Sequence, residues 1–199
     1  AAAGGVLNMG ELLSVAEVLR SIRGMLEWRD HFSGSQTSLD CYFLSLFKNK
    51  SLEDSITSCI LSPEEMSDNA SPTLFSIRRK LSGCANKIRD RLDGLLRSSA
   101  TQKYLQDTVV TQRNGRYVVP VKSEFRSEIA GLVHGLSSTG STVFVEPMAV
   151  VEANNEIRVL QSKEREEIER ILYELSASAG DFAQSIKNSY ECALELNLI

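Results

Sequence analysis

Apolar residues recur along most of the chain at the three-and-four spacing of an α-helix. Leu12, Val15, Leu19, Ile22 and Leu26 form one face of a helix predicted over Gly10–Trp28. Ser, Gly, Gln and Thr over His31–Ser38 then mark a loop. Two short helices follow, 38–48 and 52–60, with Leu39, Tyr42, Phe43, Leu46, Ile56 and Ile60 facing inward. Ser62–Asn69 breaks the pattern. Ser71-Pro72 supplies a cap and a first-turn proline. Leu74, Ile77, Leu81, Ala85, Ile88, Leu92 and Leu95 then trace one long helix, 72–98.

Helical spacing returns near Val150. Ile171, Leu175, Ala179, Phe182, Ile186, Tyr190, Ala193 and Asn197 step by an eleven-residue period, which predicts a nearly straight helix over 152–197. Gln161–Glu167 contains no apolar residue, so that stretch is expected to cross solvent or make a thin contact. Gly180 is a weak point or a kink.

Between the two long helices the period falls to two. Thr108–Gln112, Arg116–Lys122, Ile129–His134 and Ser141–Glu146 read as strands. Asn114-Gly115 joins the first two, because both central residues of a type I′ turn need positive φ. Pro120 cannot donate to a ladder, so its strand lies at an edge or turns that position outward. The fold class is α+β and predominantly α: a helical core, 1–104, that includes the first long helix, a β-rich insertion over 105–147, and a returning helix over 148–199. Two antiparallel helices would carry a small antiparallel sheet at their far end.

Charge adds a local feature. The chain of 199 residues has a formal charge of −4, but its halves differ. Residues 1–77 hold 5 basic and 10 acidic groups, whereas 78–97 hold 7 basic and 2 acidic. The basic block Arg78, Arg79, Lys80, Lys87, Arg89, Arg91 and Arg97 is either a solvated face or a surface for a polyanion. At the hairpin, Arg113 and Arg116 flank the turn and Lys122 follows the strand. Guanidinium binds phosphate bidentately, so this tip is the leading candidate for phosphate contact. Both turn arginines are expected to bury little, so replacing them should spare the fold.

Other motifs carry less. GLSSTGST, Gly135–Thr142, resembles a phosphate-binding loop but has Ser141 where the lysine belongs. It also leads into a strand rather than a helix, so a polar hairpin turn is expected. Glu164, Glu166, Glu167 and Glu169 suit a solvated or ion-paired helix face. Cys41, Cys59, Cys84 and Cys192 form no close pair and read as reduced core or boundary residues. His31 and His134 have no cluster of ligands. No apolar run is long enough to span a membrane, and AAAGGV is too short for a secretory core. The apolar pattern still runs at Leu198-Ile199, so the chain looks excised from a longer one.

The residues also carry a resemblance. RNGRYVVPVK (113–122), GLVHGLSSTGSTVFVEP (131–147), VVEANNEIRVL (150–160) and EEIERILYEL (166–175) closely resemble the middle of the type-two MutS homologues. DNASPTLFSIRRKL (68–81) fits the same family's entry into its long helix, while Gly135-Leu136 stands where an acidic or polar pair is expected. The resemblance implies a core, two lever helices and a β-rich clamp that embraces nucleic acid nonspecifically. Contact would then come from Arg113, Asn114, Arg116, Lys122 and Arg126, with Arg78, Arg79, Lys80, Lys87 and Arg91 as a second basic face. It further implies a dimeric ATPase of the ABC class using ATP and Mg, often with an Smr nuclease domain. Its work would be recombination control on DNA, or service at structured RNA and the ribosome. This chain holds no catalytic residue, cofactor site or metal site by that reading, and mismatch reading does not carry over. The alternative is a protein-interaction and dimerisation module gripping a ribosome surface or partner subunit. Serine richness points to a plant plastid; otherwise the cytoplasm is expected.

Overall fold

The computed structural model describes residues 4–31 and 37–198, so much of the loop expected over His31–Ser38 lies outside the described residues. The fold is α+β and predominantly α. Its helices are α1 (Met9–His31), α2 (Asp40–Leu44), α3 (Lys50–Cys59), α4 (Pro72–Arg97), α5 (Ser99–Gln102), α6 (Met148–Asp181) and α7 (Ala183–Leu198). Its strands are β1 (Ile60–Ser62), β2 (Glu65–Met66), β3 (Thr111–Arg113), β4 (Arg116–Lys122), β5 (Gly131–Leu136) and β6 (Thr142–Pro147). They form two compact units, 1–75 with 166–199, and 76–165; α4 and α6 each contribute to both.

The first unit is helical. Asn8 and Glu11 close a reciprocal capping box: the Asn8 Oδ1 accepts from the Glu11 N–H at 2.9 Å, and Glu11 Oε2 accepts from the Asn8 N–H at 2.8 Å. Leu12, Ala16 and Leu19 of α1 pack with Leu52, Ile56, Ile60, Met66 and Leu74, and with Ile171, Leu175 and Ala179 of α6. Ser71 caps α4 as its sequence predicts, accepting from the Leu74 N–H at 2.9 Å. The same hydroxyl donates to Glu167 at 2.6 Å. Arg170 lies 2.7 Å from that carboxylate and, with the Ser71 bond, holds it at about 2 against the opposing effect of burial. Gln161–Glu167, read as polar all round, thus includes one buried and paired carboxylate.

Several expectations shift here. Ser62–Asn69 is not merely a break: β1 and β2 pair antiparallel, and Asp68–Ala70 makes a 3₁₀ turn. The helix predicted over 152–197 starts at Met148 and is interrupted at Phe182, two residues past Gly180, the position read as a weak point or a kink. Phe182 and Tyr190, placed on an inward stripe, are 38% and 49% exposed. Tyr190 lines an open groove between α1 and α7, and Phe182 stacks on Phe47, with ring centroids 5.4 Å apart. Cys41 is exposed, whereas Cys84 is buried and its thiol is pushed up by that burial and by Glu156.

The second unit places the sheet against a helix pair. Within it, Arg78 meets Glu164, Cys84 meets Glu156, and Arg91 donates to the Ala149 carbonyl. Contacts descend one helix as they climb the other, so α4 and α6 run antiparallel there. Ile88, Leu92 and Leu96 of α4, with Val150 and Ile157 of α6, share one core with Val119, Val121, Val143 and Val145 of the sheet. The strand order is β3-β4-β6-β5, antiparallel throughout. β3 begins at Thr111, three residues later than its apolar pattern suggested. β4 is an inner strand, and Pro120 sits there without loss. Its carbonyl accepts from the Gln106 N–H at 3.0 Å. The missing donor therefore faces that side, away from the β6 ladder, beyond the end of β3.

Gly131 marks a close approach of β5 to β6. A Cβ there would lie 2.2 Å from the Glu146 carbonyl oxygen, whereas one on Gly83 of α4 would meet nothing within 4 Å. Gly131→Ala should therefore cost about 1–3 kcal/mol through forced backbone shifts. Gly83→Ala should raise stability by up to about 1 kcal/mol, since glycine weakens a helix interior. Urea denaturation of the two variants checks both signs.

Candidate nucleic-acid interface

The hairpin between β3 and β4 turns at Asn114 and Gly115, whose φ values of 52° and 73° are those a two-residue primed turn demands. Arg113 pairs with Arg116 across the ladder, so both project from one face. Strand alternation places Phe144 and Glu146 of β6 on that face, opposite the valines of the core. The two arginines then diverge.

Arg113 stays exposed, its guanidinium stacked 4.1 Å from the Phe144 ring centroid. Arg116 turns inward. One terminal nitrogen donates to Glu146 Oε1 at 2.7 Å and the other to Asn155 Oδ1 at 2.7 Å. Its side chain is only 15% exposed and that of Glu146 is 0% exposed. The expectation that both turn arginines bury little fails for Arg116, because a carboxylate lies beneath it in the sheet.

Glu146 gathers further partners. Asn154 Nδ2 donates to Oε1 at 2.9 Å, and His134 Nε2 lies 2.5 Å from Oε2. Against a carboxylate that histidine nitrogen carries the hydrogen. Asn154 also exchanges two bonds with the Tyr117 backbone, accepting at 3.0 Å and donating at 3.1 Å. One buried carboxylate thus joins β4, β5, β6 and the first turns of α6. The sequence held two signals for it. Glu146 follows a Val-Phe-Val run, and Asn154 occupies the apolar stripe of α6 between Val150 and Ile157.

The remaining predicted residues divide in the same way. Lys122 Nζ donates to the Lys103 carbonyl at 3.2 Å, at the opposite end of β4 from the tip. Arg126 donates to the carbonyls of Ile129 and Gly131, closing its own loop. Asn114 is exposed at the turn. On α4, Arg78 pairs with Glu164 at 2.7 Å, and Arg91 reaches the Ala149 carbonyl at 2.7 Å while staying exposed. Arg79, Lys80, Lys87, Arg89 and Arg97 are exposed and enter no ion pair among the described residues. Lys80, Lys87 and Arg91 run along one edge of the exposed face, a strip about 16 Å long at roughly 1.5 Å per residue.

GLSSTGST forms the turn between β5 and β6. Its hydroxyls bond one another, Ser137 to Thr139 at 3.2 Å and Thr139 to Ser141 at 2.8 Å. Ser137 Oγ also accepts from the Thr142 N–H at 3.1 Å. A loop that cradles phosphate presents free N–H groups at a helix start. This one opens a strand, so its residues do not fit a nucleotide. Among the described residues no group of three or more His, Cys, Asp or Glu could hold a metal, and no helix is long and apolar enough to cross a membrane.

No family model matches the chain. Among curated proteins it is 45% identical over 199 residues to the endonuclease MutS2 of Acetivibrio thermocellus, covering 98% of this chain and 25% of that protein. It is 50% identical over 178 residues to the endonuclease MutS2 of Ruminiclostridium cellulolyticum, covering 88% and 22%. It is 43% identical over 191 residues to that of Clostridioides difficile, covering 94% and 24%. The chain belongs to the MutS2 family. It spans about a quarter of the length of these relatives. They are bacterial and give the plastid reading no support.

The buried network has a measurable consequence. Glu146→Ala strands the Arg116 guanidinium without its counter-charge, which should cost about 3–5 kcal/mol. Arg113→Ala, at the same turn, should stay within about 1 kcal/mol, the scale of an exposed cation–π contact. Thermal melts of the two variants separate the arginines; equal losses would contradict the assignment.

Proposed function

We propose that residues 76–165 bind nucleic acid through its phosphate backbone, without sequence preference, as part of a MutS2-type protein. The observation that carries this is the exposed, ion-pair-free set Arg79, Lys80, Lys87, Arg89 and Arg97 on α4, joined by Arg91. By contrast, Arg78 of the same helix, Arg116 and Arg126 are spent on internal partners. Exposed guanidinium and ammonium groups suit phosphate oxygens, and such contacts position a duplex without reading its bases. The hairpin tip contributes Arg113, whose guanidinium lies over the Phe144 ring and stays exposed to a phosphate.

The relatives are named endonucleases, enzymes that act on nucleic acid, and this supports the same reading. In it the sheet is the clamp and α4 with α6 are the levers. The polymer is DNA, or structured RNA such as that of the ribosome. ATP and Mg chemistry, the nuclease step and homodimer formation are assigned to the longer protein.

A second reading, docking of protein, is favoured by one feature of the other unit. Leu7, Val15, Val18, Ala183, Ile186 and Tyr190 line an apolar groove of about 370 Å³ between α1 and α7. That surface suits a partner subunit, not a polyanion.

A salt titration tests the proposal. Each neutralised phosphate on duplex DNA contributes about −0.9 to the slope of log K against log salt. Four contacts give roughly −3.6, with affinities on the scale of 10⁻⁴ to 10⁻⁶ M. Lys80→Ala with Lys87→Ala should flatten the slope by about 2, and Arg113→Ala by about 1. Anisotropy measurements on this chain should show those changes on duplexes of unrelated sequence alike. Absence of duplex binding at low salt favours the protein-docking reading.

A further inference from the structure

At the end of β4 away from the hairpin tip, two rings and two lysines converge. The Tyr104 and Phe125 rings lie 5.3 Å apart between centroids, inclined at 51°. Lys103 Nζ stands 4.8 Å from the Tyr104 centroid, over one ring face. Lys122 Nζ bonds the Lys103 carbonyl at 3.2 Å, and its own N–H donates to the Tyr104 carbonyl at 2.9 Å. The segment is tied down on both sides of the rings. Leu105 bridges to Val121 and is buried, so Tyr104 is held beside a strand rather than on a free loop. Tyr104 and Phe125 are both half-buried, while Lys103 is exposed.

We propose that this cluster is a stacking platform for an unpaired nucleotide. Its ligand is a single-stranded segment of nucleic acid, distinct from the duplex backbone assigned to α4. Four features carry the assignment. The rings are held by the strand beneath them, so little ordering cost opposes stacking. A base presents a π face to either ring whatever its identity, which makes such a platform tolerant of sequence. Lys103 covers the Tyr104 face with a charge on a flexible stem, and a stacking base displaces that ammonium toward its own phosphate. Lys122 offers a second cation within the same turn of chain.

The surroundings argue against a duplex here. Glu124 and Glu128 are exposed on the segment that carries Phe125, and Arg126 is spent on the Ile129 and Gly131 carbonyls. The local field is therefore mixed, and charge alone gives a polyanion only a weak hold here. A base held by stacking does not depend on that balance. Paired bases keep their faces covered and cannot use the rings. DNA and RNA supply the same base and phosphate chemistry, so both single strands are ligands.

This proposal rests on the nucleic-acid reading only for the class of ligand, and its test is independent of α4. Short oligothymidylate, short oligouridylate and a blunt DNA duplex are titrated against the chain by anisotropy at low salt. Tyr104→Leu and Phe125→Leu should each weaken both single strands by about five- to a hundred-fold, the range seen when one stacking ring is removed. Duplex affinity and its salt slope should not change, and Tyr104→Trp should restore single-strand binding. In a Trp28→Phe background, Tyr104→Trp emission should be quenched by either oligomer and not by the duplex, a readout that does not require the leucine variants to fold. Weakened duplex binding in the Lys80→Ala and Lys87→Ala variant, with oligomer binding intact, separates the two sites. Failure of the wild type to bind either oligomer, or unchanged oligomer binding in folded leucine variants, overturns the proposal. So does equal quenching by the duplex.

Discussion

A single ion-paired carboxylate organises the β-rich unit. Glu146 has no exposed surface, and a charge in that position persists only with partners that satisfy it. Arg116, His134 and Asn154 supply them, each from a different element. The hairpin that carries Arg116, the strand that carries His134 and the start of α6 are fixed in register by one group. The tip therefore projects from an anchored base, and the rings at the other end of β4 inherit the same rigidity through the strand.

This division explains which cations are available to a partner. A basic residue near a buried acid is consumed by it, and the desolvation already spent on the pair opposes its release. Arg116 on Glu146 is such a residue; Arg78 is held by the partly buried Glu164, and Arg126 by two backbone carbonyls. Arg79 lies on the far side of α4 from its core stripe of Ile77, Cys84, Ile88 and Leu92, and Lys80 and Lys87 lie along its flank; none of the three enters an ion pair among the described residues. The same amphipathicity that folds α4 against the sheet thus leaves its cations to solvent.

Much of the fold was legible because it rests on periodicity. The core positions of α1 and α4, the Ser71-Pro72 start and the Asn114-Gly115 turn all follow from spacing and local backbone preference. The interruption at Phe182 left no mark in the apolar steps, which run across it unchanged; Gly180, read as a weak point or a kink, was its one signal. β3 started late because Thr108–Val110 has strand-like composition but no partner in the ladder. The site was less legible than the fold. Sequence proximity grouped Arg113 with Arg116 and Lys122, and alternation puts them on one face, yet their partners differ: only the strand pairing reveals Glu146 beneath Arg116, and Lys122 lies at the other end of β4. Tyr104 and Phe125 lie 21 positions apart in the chain, and no local pattern joins them.

The central claim is that nucleic acid meets the unpaired cations of α4. Lysine acetylation read by mass spectrometry, with and without a DNA duplex at low salt, tests it residue by residue. Lys80 and Lys87 should be protected by the duplex, while Lys50 and Lys187, exposed on the other unit and paired with Asp54 and Glu191, should react as before. Protection of Lys50 and Lys187 with Lys80 and Lys87 unprotected would contradict the account.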